Sequence, residues 1–149
     1  MVMLYLPEDD GSDPPPVRNG YSVVAWPLSM RCWSAAGLAL MLSALAGLVI
    51  AGGAPLILWV LAIGMNVLAA VGVLYFWRVR NEYSETTIIS YSIIGGSRKF
   101  SLSEFANAGD VGVRGHEFET RAGAKIYVNS YQRGAAMLIQ KLQQQIGDG

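Results

Sequence analysis

CWSAAGLALMLSALAGLVIAGGAPLILWVLAIGMNVLAAVGVLYFW, residues 32 to 77, contains no Asp, Glu, Lys or Arg, and this 46-residue gap decides the architecture. As one straight helix it would run roughly 70 Å, more than twice the roughly 30 Å hydrocarbon core of a bilayer. Two helices fit that thickness and one does not. The break falls at Ala51-Gly52-Gly53-Ala54-Pro55, where paired glycines loosen the helix and a proline suits the first turn of the next. The stretch therefore predicts a two-helix transmembrane hairpin, with helices at about 32 to 51 and 55 to 77.

Outside the gap lie all the charges, 11 basic and 11 acidic, in a chain that is only 15% charged. Soluble domains average about 25%. A cleaved signal peptide would need a basic start and a short apolar core, whereas residues 1 to 31 carry Glu8, Asp9, Asp10 and Asp13 against Arg18 and Arg31. Basic residues near helix ends are retained in the cytoplasm. Arg31 precedes the hairpin, Arg78 and Arg80 follow it, and its turn is uncharged, which predicts a multi-pass protein of the inner (cytoplasmic) membrane with both termini cytoplasmic. The single cysteine, Cys32, has no internal disulfide partner and is read as an ordinary apolar residue rather than an acylation site.

Residues 1 to 31 are expected to form an N-terminal segment in three parts. Met1 to Leu6 is either a short strand or a surface segment. Pro7 to Gly20, with three consecutive prolines among acids and glycines, reads as an extended cytoplasmic tether. Tyr21 to Trp33, with Trp26 and Trp33 around Pro27, reads as an interfacial approach to the membrane, matched by Tyr75, Phe76 and Trp77 at the other end of the hairpin. Within the hairpin, Ala35, Ala39, Ser43, Gly47 and Ala51 recur every four residues and suggest a packing ridge, facing Gly64, Asn66 and Gly72 of the second helix. Asn66 lies mid-span, so its amide is expected to face protein and pin the two helices together.

After Trp77 the pattern changes to β-branched residues and short turns. Thr86 to Ile94 and Arg98 to Leu102, around Gly95-Gly96-Ser97, read as one hairpin. His116 to Arg121 and Lys125 to Ser130 read as another, with Phe118, Ile126 and Val128 turned inward and a further strand near Val111 and Val113 before it. Gly134 to Ile146 is helical, since Ala135, Leu138, Ile139, Leu142 and Ile146 share one face.

This order of strand, glycine turn, strand, Ser-Leu-Ser-Glu-Phe (101 to 105), the hairpin EFETRAGAKIYV (117 to 128) and a closing amphipathic helix resembles the bacterial pleckstrin-homology-like (PH-like) domains, many of which follow a transmembrane hairpin. The resemblance covers residues 32 to 146 and implies a small α+β domain at 78 to 149, a curved antiparallel sheet of seven strands closed by a C-terminal helix. It also implies a binding and assembly platform rather than a catalyst. In eukaryotic relatives a basic loop between the first two strands meets lipid headgroups, and the corresponding loop here is expected at Gly95 to Lys99.

No phosphate loop, histidine pair, cysteine cluster or nucleophile motif is present, so no enzyme, cofactor or metal site is expected. His116 alone cannot make a metal site, and Glu104 and Asp110 are read as solvated charges. Residues 78 to 149 hold nine basic and seven acidic residues, too small a surplus for nucleic acid. The function these features suggest is a membrane-anchored scaffold whose domain binds a protein partner or another copy of itself. Two alternatives are a sensor of anionic lipid using Arg78, Arg80, Arg98 and Lys99, and a small accessory subunit of a transporter or channel.

Overall fold

The computed structural model describes residues 14 to 148. The chain divides into two compact units, one formed by Met1–Pro27 with Arg78–Gly149 and the other by Leu28–Trp77.

The first unit begins before the helices. Val17–Arg18 (β1) and Tyr21–Ala25 (β2) form a hairpin through Asn19 and Gly20, both at positive φ (52° and 81°). That is the turn an Asn-Gly pair favours, because its backbone twist matches that of the flanking strands. Tyr21 to Ala25 is thus a strand rather than an interfacial approach, and the tether expected over Pro7 to Gly20 gives way to structure from Val17 onward. The Met1 to Leu6 segment lies outside the described residues. Val24, Ala25, Trp26 and Pro27 are buried within this chain, so Trp26 is a core residue and not part of an aromatic belt.

The second unit is a pair of helices, Leu28–Ala51 (α1) and Leu56–Arg78 (α2), broken at the glycine pair as expected. The first starts directly after Pro27, four residues ahead of Cys32, which places Arg31 inside its first turn. Both are long and apolar enough to cross a membrane, and no residue of either is buried inside the chain. A soluble core helix of such composition would be mostly buried.

The chain returns to the first unit at Arg80–Tyr83 (β3), followed by Thr87–Tyr91 (β4) and Ser97–Ser101 (β5). These extend an antiparallel sheet of order β1-β2-β3-β4-β5, in which Ala25 pairs with Arg80, Val24 with Asn81 and Ser22 with Tyr83. Strands on either side of the helical hairpin are therefore direct neighbours. A 3-10 turn at Leu102–Glu104, where the Ser101 N–H donates to the Glu104 carboxylate, leads to Phe105–Val111 (β6), Gly115–Thr120 (β7) and Lys125–Asn129 (β8). These three form a second antiparallel sheet, and Ala135–Gly147 (α3) closes the unit.

The expected strand near Val111 and Val113 is β6, which ends at Val111; Val113 sits in the following turn, 99% exposed. One core joins both sheets and α3: Val24, Tyr83, Ile88, Leu102, Phe105, Phe118, Ile126, Val128, Ala135, Leu138, Ile139 and Leu142. Asn81 adds a polar tie, donating from Nδ2 to the Tyr127 carbonyl at 3.2 Å. At the start of α3, Gly134 adopts φ +76° against Pro15, whose Cβ would lie 2.5 Å from any Cβ placed there. A bulkier residue at 134 would push the N-terminal segment off the helix.

Because β2 supplies Val24 to the core, a fragment of residues 78 to 149 is expected not to fold. Replacing residues 28 to 77 with a short Gly/Asn linker, which the Ala25–Arg80 pairing permits, should instead give a soluble domain with a cooperative melt. Circular dichroism and thermal unfolding of the two proteins distinguish these outcomes.

Candidate functional site

In the helical unit the half-buried residues include Ser34, Leu38, Met41, Leu45 and Leu48 on α1, and Trp59, Ala62, Asn66, Ala69, Val73 and Phe76 on α2. Their spacing alternates between three and four, which keeps a stripe facing a nearly antiparallel neighbour. The expected packing ridge is turned elsewhere: Ala35, Ala39, Ser43, Gly47 and Ala51 are all exposed. A strict four-residue repeat drifts about 40° per step on a helix of 3.6 residues per turn, roughly 160° over these five positions, so it cannot follow one straight partner. A Cβ added at Gly47, Gly64 or Gly72 would meet nothing within 4 Å, so these glycines do not serve close approach inside the hairpin.

Asn66 bonds across the helix pair. Its Nδ2 donates to the Met41 carbonyl at 3.1 Å across the pair and to the Ala62 carbonyl at 2.8 Å within its own helix. Its Oδ1 is enclosed with no donor. At the open end of the hairpin, Trp77 Nε1 donates to the Arg31 carbonyl at 3.2 Å, and the Arg31 guanidinium lies 5.8 Å from the Trp77 ring centre.

The four basic residues singled out from the sequence do not form a cluster. Arg80 is committed within the sheet, 3.0 Å from Glu82 and stacked 4.1 Å from the Tyr91 ring centre. Arg98 and Lys99 are consecutive on β5, opposite Ser90 and Ile89, so their side chains leave opposite faces. The turn at Gly95 joins β4 to β5, not the first two strands, which removes the expected correspondence with a headgroup-binding loop. Arg78, exposed, reaches this turn: its Nη1 would be 3.3 Å from a Cβ at Gly95.

His116 Nδ1 lies 3.2 Å from Asp110 Oδ1 beside a hollow of about 370 Å³ that includes Arg114 and Ser130. Glu104, in the 3-10 turn, has no part in this pair. Among the described residues no group of three His, Cys, Asp or Glu is placed to hold a metal. Glu117 leaves the other face of β7 and meets Lys125 at 2.8 Å. That ammonium holds the Glu117 carboxyl below its ordinary value of 4.5, and the carboxylate in turn raises Lys125.

Two features escaped the sequence reading. The outer strand β6 is exposed over Asn107, Ala108, Gly109, Asp110 and Val111, and among the described residues it pairs only with β7. The second is a set of turns at one end of the domain. Ala25, Arg80, Tyr91 and Ser97 are aligned across β2 to β5, so the β4–β5 turn projects from the end of the sheet where the chain departs for α1 and returns from α2. Arg133 N–H donates to the Ala25 carbonyl and Ser130 N–H to the Arg114 carbonyl, which brings the β8–α3 and β6–β7 turns to the same end. These turns carry Ile94, Val113 and Tyr131, which are 89%, 99% and 41% exposed. The signal was an apolar residue beside a turn glycine, in Ile94-Gly95 and Gly112-Val113, where polar residues are the norm.

No family model, no curated protein and no solved structure matches this chain.

Two expectations follow. Asn66→Leu removes an interhelical bond of a kind that averages about 0.6 kcal/mol, but it also removes an enclosed oxygen with no donor. Thermal unfolding of the full chain in detergent should therefore show no loss of stability, whereas Asn66→Asp should lower it. The Glu117 carboxyl is depressed in the folded state, so its contribution is present above the ordinary carboxylate range and fades as pH falls through the folded value. Melting curves should show a small wild-type advantage over Glu117→Gln at neutral pH that disappears in acid.

Proposed function

We propose that the chain is a scaffold of the bacterial inner membrane, with both termini cytoplasmic, whose domain associates with a second copy of itself. The PH-like reading is supported by the strand count: β2 to β8 supply the seven strands that the resemblance implies, the first of them from the segment before the helices, and α3 closes them.

The observation that carries the functional reading is the outer edge of β6, which no other described strand covers. Soluble domains blunt such edges with lysines, prolines or covering loops, because unpaired backbone groups recruit other strands. Over residues 107 to 111 the only charge is Asp110, which is drawn toward His116. Two copies of β6 pairing antiparallel about Gly109 would set Asn107 against Val111 and Ala108 against Asp110, with no like charges opposed.

Gly109 gives a clean test, since a side chain there meets nothing within 4 Å in the single chain. Crosslinking in membranes before solubilisation should trap a wild-type dimer and lose it in Gly109→Lys, where like charges would face each other. Co-expressing Gly109→Lys with Gly109→Glu should restore it. A wild-type chain that crosslinks only as monomer overturns the reading.

A further inference from the structure

We propose that the end of the domain bearing the β4–β5, β6–β7 and β8–α3 turns docks onto the headgroup region of an anionic bilayer, with Ile94, Val113 and Tyr131 entering the interface and Arg78, Arg98, Arg114 and Arg133 meeting lipid phosphates. This goes beyond self-association through β6, and it rests on the reading of α1 and α2 as membrane-spanning.

Three observations converge on this surface. Exposed apolar side chains sit at turn tips, where they contribute nothing to the core: Ile94 and Val113 are almost fully accessible. The turns at the opposite end, Ser84-Glu85-Thr86 and Arg121-Ala122-Gly123-Ala124, carry no large apolar residue. Placing a branched aliphatic at a turn tip leaves its surface in water unless something covers it.

The end with the apolar tips is also basic. It holds Arg78, Arg80, Arg98, Arg114 and Arg133, against Glu82, which pairs with Arg80, and Asp110, which faces His116. The Arg114 guanidinium rests 4.7 Å from the Tyr131 ring centre, so an amphipathic ring and a cation are presented together, the combination suited to the boundary between acyl chains and phosphates.

Topology then selects the occupant. Ala25 is two residues from Leu28 across Trp26 and Pro27, and Arg80 is one residue from Arg78 across Val79. The β4–β5 turn lies only one to two strand spacings, about 5 to 10 Å, from Arg80. A bilayer crossed by α1 and α2 is thus joined through the chain to the end of the domain that bears these tips. A basic, apolar-tipped end matches an anionic lipid interface in both charge and polarity, and each arginine removed should weaken docking about fivefold.

The test uses the full chain carrying Cys32→Ser, with single cysteines at Ile94, Val113 or Ala122 labelled by an environment-sensitive dye. The protein is reconstituted in phosphatidylcholine vesicles with or without phosphatidylglycerol, alongside lipids bearing a headgroup-depth quencher. With phosphatidylglycerol, the dyes at 94 and 113 should shift to the blue and be quenched, the dye at 122 should stay in water, and Arg98→Gln with Arg114→Gln should reverse the effect. Dyes at 94 and 113 that remain in water in both lipids overturn the docking. Protection that ignores lipid charge and rises with protein-to-lipid ratio assigns the tips to a second copy and also overturns it. A chain that fails to float with vesicles removes the membrane-spanning premise itself. Gly109→Lys should leave the dye shifts unchanged, which separates this surface from the β6 edge.

Discussion

The pairing of β2 with β3 is the constraint on which the structure depends. It joins Ala25 to Arg80 across 54 intervening residues, nearly all of them in α1 and α2. Closing a flexible loop of that length costs about 3 kcal/mol more than closing a two-residue turn. A helical hairpin avoids much of that cost, because antiparallel helices of nearly equal length, 24 and 23 residues, return the chain close to where it left. Trp77 bonding to the Arg31 carbonyl ties together the open end of the helical hairpin, and the sheet begins three residues further along.

Most of the architecture was legible because it depends on local pattern. The charge-free run defined two helices, and the glycine pair placed the break between them. The β4–β5 and β7–β8 hairpins and α3 were visible because Phe118, Ile126 and Val128 alternate and Ala135, Leu138 and Leu142 recur at helical spacing. What was misread depends on long-range partners. Tyr21 to Trp33 leads into a hydrophobic run, so its aromatic residues suggested a membrane interface, although Asn19-Gly20 is a strong hairpin signal for the strand at Tyr21–Ala25. No local pattern announces that a strand's other neighbour lies beyond two helices.

The small-residue ridge illustrates the same limit from the other side. A four-residue repeat of alanine, serine and glycine signals a packing surface, yet sequence does not say against which neighbour. In the structure the half-buried positions include larger side chains, Leu38, Met41 and Leu45 on one helix and Trp59, Val73 and Phe76 on the other, and the ridge is left exposed. The candidate surfaces were less legible than the fold. Arg98 and Lys99 are adjacent in sequence and diverge in space, whereas Arg114 and Tyr131 are distant in sequence and stack.

Inserting a helical hairpin into a β-turn gives the domain a dependence on biosynthesis. During synthesis β1 and β2 emerge first, and β2 lacks its second neighbour until α2 has been completed and β3 follows it. If both helices cross a bilayer, β2 and β3 emerge on the same side and the sheet can close. If only one crosses, they are separated by the membrane, Val24 never reaches the core, and the remaining strands lack their neighbour. Closure of the sheet through β2 and β3 is thereby tied to the two helices crossing together or not at all.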